Sequence, residues 1–175
     1  RLWKFHKPKG LITSHKDEKS RQTIFQILPK NLPRLITVGR LDLNSEGLLL
    51  LTNDGDLKRK LELPSSKIVR SYRVRAKGVA NENKLSRLRQ GITVDGIRYR
   101  PMELNIIKQN TSNVWLSVRL TEGKNREIRL SFQAIGLQVN KLIRTSFGPI
   151  TLGKLDKGQI EEVELNSFSA ILKDG

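Results

Sequence analysis

Four consecutive leucines, Leu48–Leu51, stand between Gly47 and the turn sequence Thr52-Asn53-Asp54-Gly55. A run this short and this uniformly apolar reads as a strand. With no polar residue at alternate positions, it reads as a strand buried on both faces. Such a strand needs packing partners above and below it, so the chain has to build layers around residues 47–52.

The remaining sequence offers those layers in short pieces. Leu2–Phe5 reads as an apolar strand, followed by the turn Lys7-Pro8-Lys9-Gly10. Residues 23–28 place Ile24, Ile27 and Leu28 on one helical face, and Pro29 ends that helix. Residues 34–47 begin as a strand and then bend. A short helix after Gly55 turns Leu57 and Leu61 inward. Tyr72, Val74 and Ala76 alternate with Arg73, Arg75 and Lys77, the two-residue period of a half-buried strand. Asn81 is placed to cap a helix that carries Leu85 and Leu88 on its core side and stops at Gly91. Asp95-Gly96 marks a hairpin turn. Residues 102–123 read as two alternating strands around a polar turn. A helix follows with Ile128, Phe132 and Ile135 at core spacing, and residues 141–153 return to strands. Short strands interspersed with a few helices predict an α+β fold, a mixed and mainly antiparallel sheet with helices packed on it, as one domain over 1–175. A weak strand-helix-strand similarity relates the two halves.

Charge narrows the partner. Lys and Arg number 33 against 17 Asp and Glu, a formal net charge of +16. That excess points to a polyanion, and nucleic acid is the first candidate because phosphate neutralisation drives such binding. A solubility device is the plainer alternative. The chain has no cysteine, and His6 and His15 are its only histidines, which argues against a disulfide framework, a zinc cluster and a triad. No segment approaches the ~20 apolar residues of a membrane span. The chain starts at Arg1 without a signal-peptide pattern, so the expectation is a cytoplasmic protein trimmed upstream.

Three places have the residue types for chemistry. Asp42 follows Arg40 by two residues at the end of a strand, which would put an acid beside a base on one face. It is either a surface pair flanking a turn or a reactive carboxylate. In Thr121-Glu122-Gly123-Lys124-Asn125-Arg126, a helix start brings backbone N–H groups together with two cations, a dock for phosphate or an ordinary solvated face. Arg129 lies one helical turn beyond Arg126. Tyr72, among arginines, is either a base-stacking residue or a core tyrosine. Lys9 in the first turn either approaches a phosphate or shapes a plain loop. Trp3 and Trp115 read as core or sheet-packing residues.

Taken in order, "KPKG", "GRLDLNSEGLLLLTNDGDL", "RSYRVRAKG", "LTEGKNREIR" and "IGLQVNKLIRTSFGPITLG" resemble the RsuA-type pseudouridine synthases, the group that includes the bacterial RluB-like enzymes. The resemblance covers nearly the whole chain. It implies an isomerase that turns a chosen uridine of ribosomal RNA into pseudouridine, with no metal and no cofactor. It also implies two related lobes flanking an active-site cleft. Carried over by position, the essential aspartate is Asp42, the active-site tyrosine Tyr72 and the basic partner Arg129. With that assignment, Arg40 is expected to line the cleft or to fill the gap left by the flipped base, and Lys9, Lys124, Asn125, Arg126 and Arg144 to hold RNA phosphates. Two positions depart from the family pattern. Leu130-Ser131 follow Arg129 where a second arginine is common, and Asn44 stands where an acid is common.

Many family members carry an S4-type RNA-binding domain ahead of the catalytic one, and this chain contains none. The expected enzyme is a monomer acting on large-subunit (23S) RNA. A small-subunit (16S) enzyme and a non-catalytic rRNA-binding or assembly factor on the same scaffold are the alternatives.

Overall fold

A computed structural model describes residues 1–15, 19–124 and 126–168. In chain order its first half contains strands β1 (Leu2–Lys7), β2 (Ile36–Val38) and β3 (Glu46–Thr52), helix α1 (Gly55–Glu62), strand β4 (Arg70–Lys77) and helix α2 (Glu82–Arg89). The second half contains β5 (Ile92–Val94), β6 (Ile97–Tyr99), β7 (Glu103–Gln109), β8 (Asn113–Leu120), α3 (Glu127–Ala134), β9 (Gln138–Phe147), β10 (Ile150–Thr151) and β11 (Ile160–Val163). The fold is α+β, as expected. It divides into two units: Arg1–Ile68 with Arg144–Gly175, and Val69–Ile143.

The first unit is built on β3. Strand β1 pairs antiparallel with it from Leu2 opposite Thr52 to Lys7 opposite Gly47. On its other side β1 takes up β11. Every residue of β3 is buried, and Leu48–Leu51 are wholly inaccessible. Leu49 and Leu51 pack with Trp3, Phe5, Leu11, Ile24, Leu35 and Leu41. Leu48 and Leu50 are buried on the opposite face, as alternation along a strand requires. Each such leucine contributes about 1.5–3 kcal/mol through burial, so this strand fixes the unit. Asp54 caps α1, accepting from the N–H groups of Asp56 and Leu57, and Leu57 and Leu61 turn inward.

The helix expected at 23–28 is corrected to a single 3₁₀ turn, Ile24–Gln26. Only five residues separate Thr23 from Pro29, too few to repay helix nucleation. Ile27 is left 37% exposed.

The second unit is an antiparallel sheet in which β8 pairs with β4 on one side and β7 on the other. Helices α2 and α3 cover one face. Leu85, Leu88, Ile128 and Phe132 meet Val74, Ala76, Leu116 and Val118 there. Asn81 caps α2 by accepting from the Lys84 N–H at 2.9 Å. The β5–β6 hairpin turns through Asp95 and Gly96, both at positive φ.

Candidate active site

Asp42 lies in the loop between β2 and β3, half-buried. Strand β2 ends at Val38 and Gly39 takes φ +70°, so the strand alternation that would align Arg40 with Asp42 stops before it reaches them. Arg40 is exposed, whereas Leu41 is anchored in the core.

The loop is held from beneath by a lysine that the sequence reading passed over. Lys7 is wholly buried. Its Nζ donates to the carbonyls of Asp42 at 3.0 Å, Ser45 at 2.8 Å, Leu43 at 3.4 Å and Pro8 at 3.2 Å. The Ser45 N–H closes the turn onto the Asp42 carbonyl at 3.0 Å, and the Gly10 N–H donates to the Leu43 carbonyl at 2.8 Å. Burial pushes the Lys7 ammonium down to about 8, and the negative charges of Asp42 and then Glu46 act against that shift. A lysine buried at such expense, with backbone carbonyls for partners, fixes the path of a loop. A signal for it existed in the sequence: Trp3, Phe5 and Lys7 share one face of a strand.

Next to this loop Glu46 is buried and meets Lys157 at 3.1 Å. Gly47 takes φ +105°, and a Cβ there would lie 2.3 Å from the Arg144 carbonyl oxygen. Only glycine lets β3 start so close to β9. Arg144 is 3% exposed. Its Nε donates to the Leu48 carbonyl at 2.8 Å and its guanidinium lies 5.5 Å from the Phe147 ring centroid. The side chain named in the sequence as a phosphate contact is thus buried within the unit, with one bond to the β3 backbone. Lys9 stands exposed at the tip of its turn.

The other candidates belong to the second unit. Tyr72, on β4 opposite Val118, is half-buried and packs against the core. Arg129 is half-buried on α3. The residue that opens α3, Arg126, is exposed and sits in the left-handed region at φ +54°. A non-glycine residue held there stores about 1–3 kcal/mol, a feature concentrated at functional loops.

Lys124 folds back onto protein groups, donating to the Arg98 carbonyl at 2.6 Å and pairing with Glu122 at 2.9 Å. Glu122 also accepts from the Arg100 N–H at 2.9 Å. These contacts hold the Glu122 carboxyl below the usual carboxylate range even though burial opposes them. Glu127, 4% exposed, is pushed up to about 8, first by burial and then by the negative charge of Glu122. The start of α3 thus carries one charged and one neutral carboxyl. Asn125 lies outside the described residues.

An open recess of about 550 Å³ in this unit is lined by Arg89, Met102, Leu104, Arg119 and their neighbours, and contains none of the candidate catalytic residues. Among the described residues, no three His, Cys, Asp or Glu side chains are grouped to hold a metal ion. No helix among them is long and apolar enough to cross a membrane.

A solved structure described as the crystal structure of pseudouridylate synthase superposes on this chain with a TM-score of 0.86 at 26% identity, covering 99% of this chain and 73% of that one. The fold is therefore that of an RNA-modifying isomerase. The profile of the family described as RNA pseudouridylate synthase matches residues 1–134, and the chain belongs to that family. It is 54% identical over 164 residues to an RNA pseudouridine synthase of Rickettsia bellii, spanning 93% of this chain and 70% of that protein. It is 45% identical over 159 residues to the ribosomal large subunit pseudouridine synthase B of Buchnera aphidicola, spanning 89% of this chain and 62% of that protein.

Proposed function

We propose that this RNA pseudouridine synthase acts on a uridine of large-subunit ribosomal RNA, with Asp42 as its catalytic carboxylate. The observation that carries the role of Asp42 is the Lys7 clamp. Turn chemistry alone does not require a buried ammonium with bonds to the carbonyls of Asp42, Leu43 and Ser45. A reacting carboxylate does need a fixed backbone, because a misplacement of about 1 Å can cost on the order of 10²-fold in rate. The large-subunit target is supported by the likeness to ribosomal large subunit pseudouridine synthase B.

The reaction breaks the bond between ribose C1′ and uracil N1, turns the base, and joins C1′ to C5. The C5 proton is then lost and N1 regains one, so the product is an isomer. The target nucleotide has to leave its stack for this to happen. In our reading Asp42 acts ionised, on the base or the sugar. Arg129 is the basic residue of the reaction, and Tyr72 stacks on the extruded uracil. Arg40, Lys9, Lys124, Asn125 and Arg126 hold flanking RNA without reading its sequence. Lys124 does so with the donor capacity left beyond Arg98 and Glu122. The enzyme needs no metal or cofactor for this chemistry, works in the cytoplasm and functions as a monomer.

The test is pseudouridine mapping of ribosomal RNA from cells with and without the protein. Loss of one large-subunit pseudouridine is expected. Loss of a small-subunit pseudouridine instead would overturn the assignment of target, and an unchanged map would overturn the substrate class.

A further inference from the structure

The second unit's sheet has two faces, and the helices use only one. Tyr72 belongs to the helix-covered face of β4, and its neighbours Arg73 and Arg75 point the other way. On that outer face the strand registers set out rows of side chains. Arg73, Ser117 and Asn105 form one row across β4, β8 and β7, and Arg75, Trp115 and Lys108 form the next. Lys77 stands opposite Asn113 in a third. Arg73, Lys77 and Lys108 are exposed, while Trp115 is half-buried.

Three details make this more than a solvated basic strand. Trp115 lies at the centre with two guanidiniums over its ring, Arg73 at 5.3 Å and Arg75 at 5.6 Å from the centroid. Cation–π attraction holds both charges upright on the sheet. Arg75 is fixed further by donating to Asn140 Oδ1 at 2.7 Å, and Asn140 donates to Asn113 Oδ1 at 3.2 Å. Finally, the register shifts between Ile106 and Lys108, so that Lys108, and not Ile107, stands opposite Trp115. A bulge of this kind re-aims a side chain, and here it delivers a cation to the row. The acid on this face, Glu103, is paired with Arg119 at 3.4 Å.

We infer that this outer face is a second RNA-binding surface, distinct from the face that carries Tyr72, and that it takes an unpaired segment of the substrate RNA outside the target uridine. Arg73, Lys77 and Lys108 meet successive phosphates, while Trp115 and the Arg75 plane receive a base by stacking. RNA as the polyanion rests on the function proposed above.

The test measures binding of the full chain to a large-subunit rRNA transcript as a function of salt, for the native protein and for a variant with Arg73→Gln, Lys77→Gln and Lys108→Gln. All three side chains are exposed. Each lost phosphate contact on a single strand flattens the slope of log K against log salt by about 0.7. The variant is expected to show a slope shallower by about 2 and an affinity at least about tenfold weaker at low salt, with kcat at saturating RNA unchanged. Equal slopes and affinities would overturn the inference. If the variant does not fold, Trp115 emission in native protein titrated with oligouridylate decides, since Trp3 is sealed in the first unit's core. Quenching is expected, and an unchanged emission overturns the inference. Pseudouridine formation by native protein with no effect of the variant on binding would sink this surface alone. A variant effect on binding without any pseudouridine formation would sink the proposed activity alone.

Discussion

The ammonium of Lys7 donates to the backbone carbonyl of Asp42 at 3.0 Å, from a position with no solvent exposure. The two residues are 35 positions apart, and the bond ties the end of β1 to the loop that carries the candidate carboxylate. The same ammonium reaches the Ser45 carbonyl, so a single side chain sets both ends of the turn.

Lys7→Met keeps the length of the side chain and removes the donor. The carbonyls it served are left wanting partners, at about 1–3 kcal/mol for each one that water cannot reach. Part of that loss is offset because a buried charge is gone. Activity is expected to fall at least tenfold while the melting temperature changes little. Single-turnover pseudouridine formation alongside thermal melting checks this, and full activity would show that the clamp does not serve the reaction.

The two buried groups shifted to about 8, Glu127 and Lys7, act on stability in different pH windows. Glu127 is raised from 4.5 to about 8, so the stability it lends is fully present below about 4.5 and is lost as pH rises through about 8. Lys7 is lowered from 10.5 to about 8, so its contribution is present above 10.5 and is lost as pH falls through about 8. Glu127→Gln removes the first dependence. The melting temperature of that variant minus that of the native protein is expected to grow more positive from pH 5 to pH 8.5, by roughly 2–4 °C for each kcal/mol. Melting curves across that range measure the difference, and a difference that is flat or shrinks with pH would contradict the buried neutral carboxyl.

Gly47→Ala puts a methyl group 2.3 Å from the Arg144 carbonyl oxygen, in a backbone conformation that alanine avoids. Overpacking and a left-handed backbone together cost about 3 kcal/mol or more. Urea unfolding is expected to show that loss, with β3 and β9 forced apart.

Arg126→Gly relieves the positive φ at the start of α3 and removes one cation. Stability is expected to rise by about 1 kcal/mol while RNA affinity falls. A variant that gains stability and keeps its affinity would make the strained arginine a packing accident.

The sequence revealed those parts of the fold that local chemistry decides. The leucine run, the Asn81 cap, the Asp95-Gly96 turn and the Ile128-Phe132-Ile135 stripe each follow from spacing and conformational preference, and each is found as expected. Features decided by distant partners were hidden. Lys7 looks like any surface lysine until the loop at Asp42 folds over it. Trp115 reads as packing because its neighbours on the sheet come from β4 and β7. Strand β11 is ordered by β1, more than 150 residues earlier in the chain, and no local pattern signalled it.

The account stands on Asp42, and Asp42→Asn tests it most directly. The substitution keeps the size of the side chain and leaves the backbone carbonyl available to Lys7. Tritium release from C5-labelled uridine in a large-subunit rRNA transcript, measured beside RNA affinity, gives the answer. The account predicts that pseudouridine formation is abolished while affinity stays within about threefold of native. Formation at the native rate in the Asp42→Asn protein would contradict it.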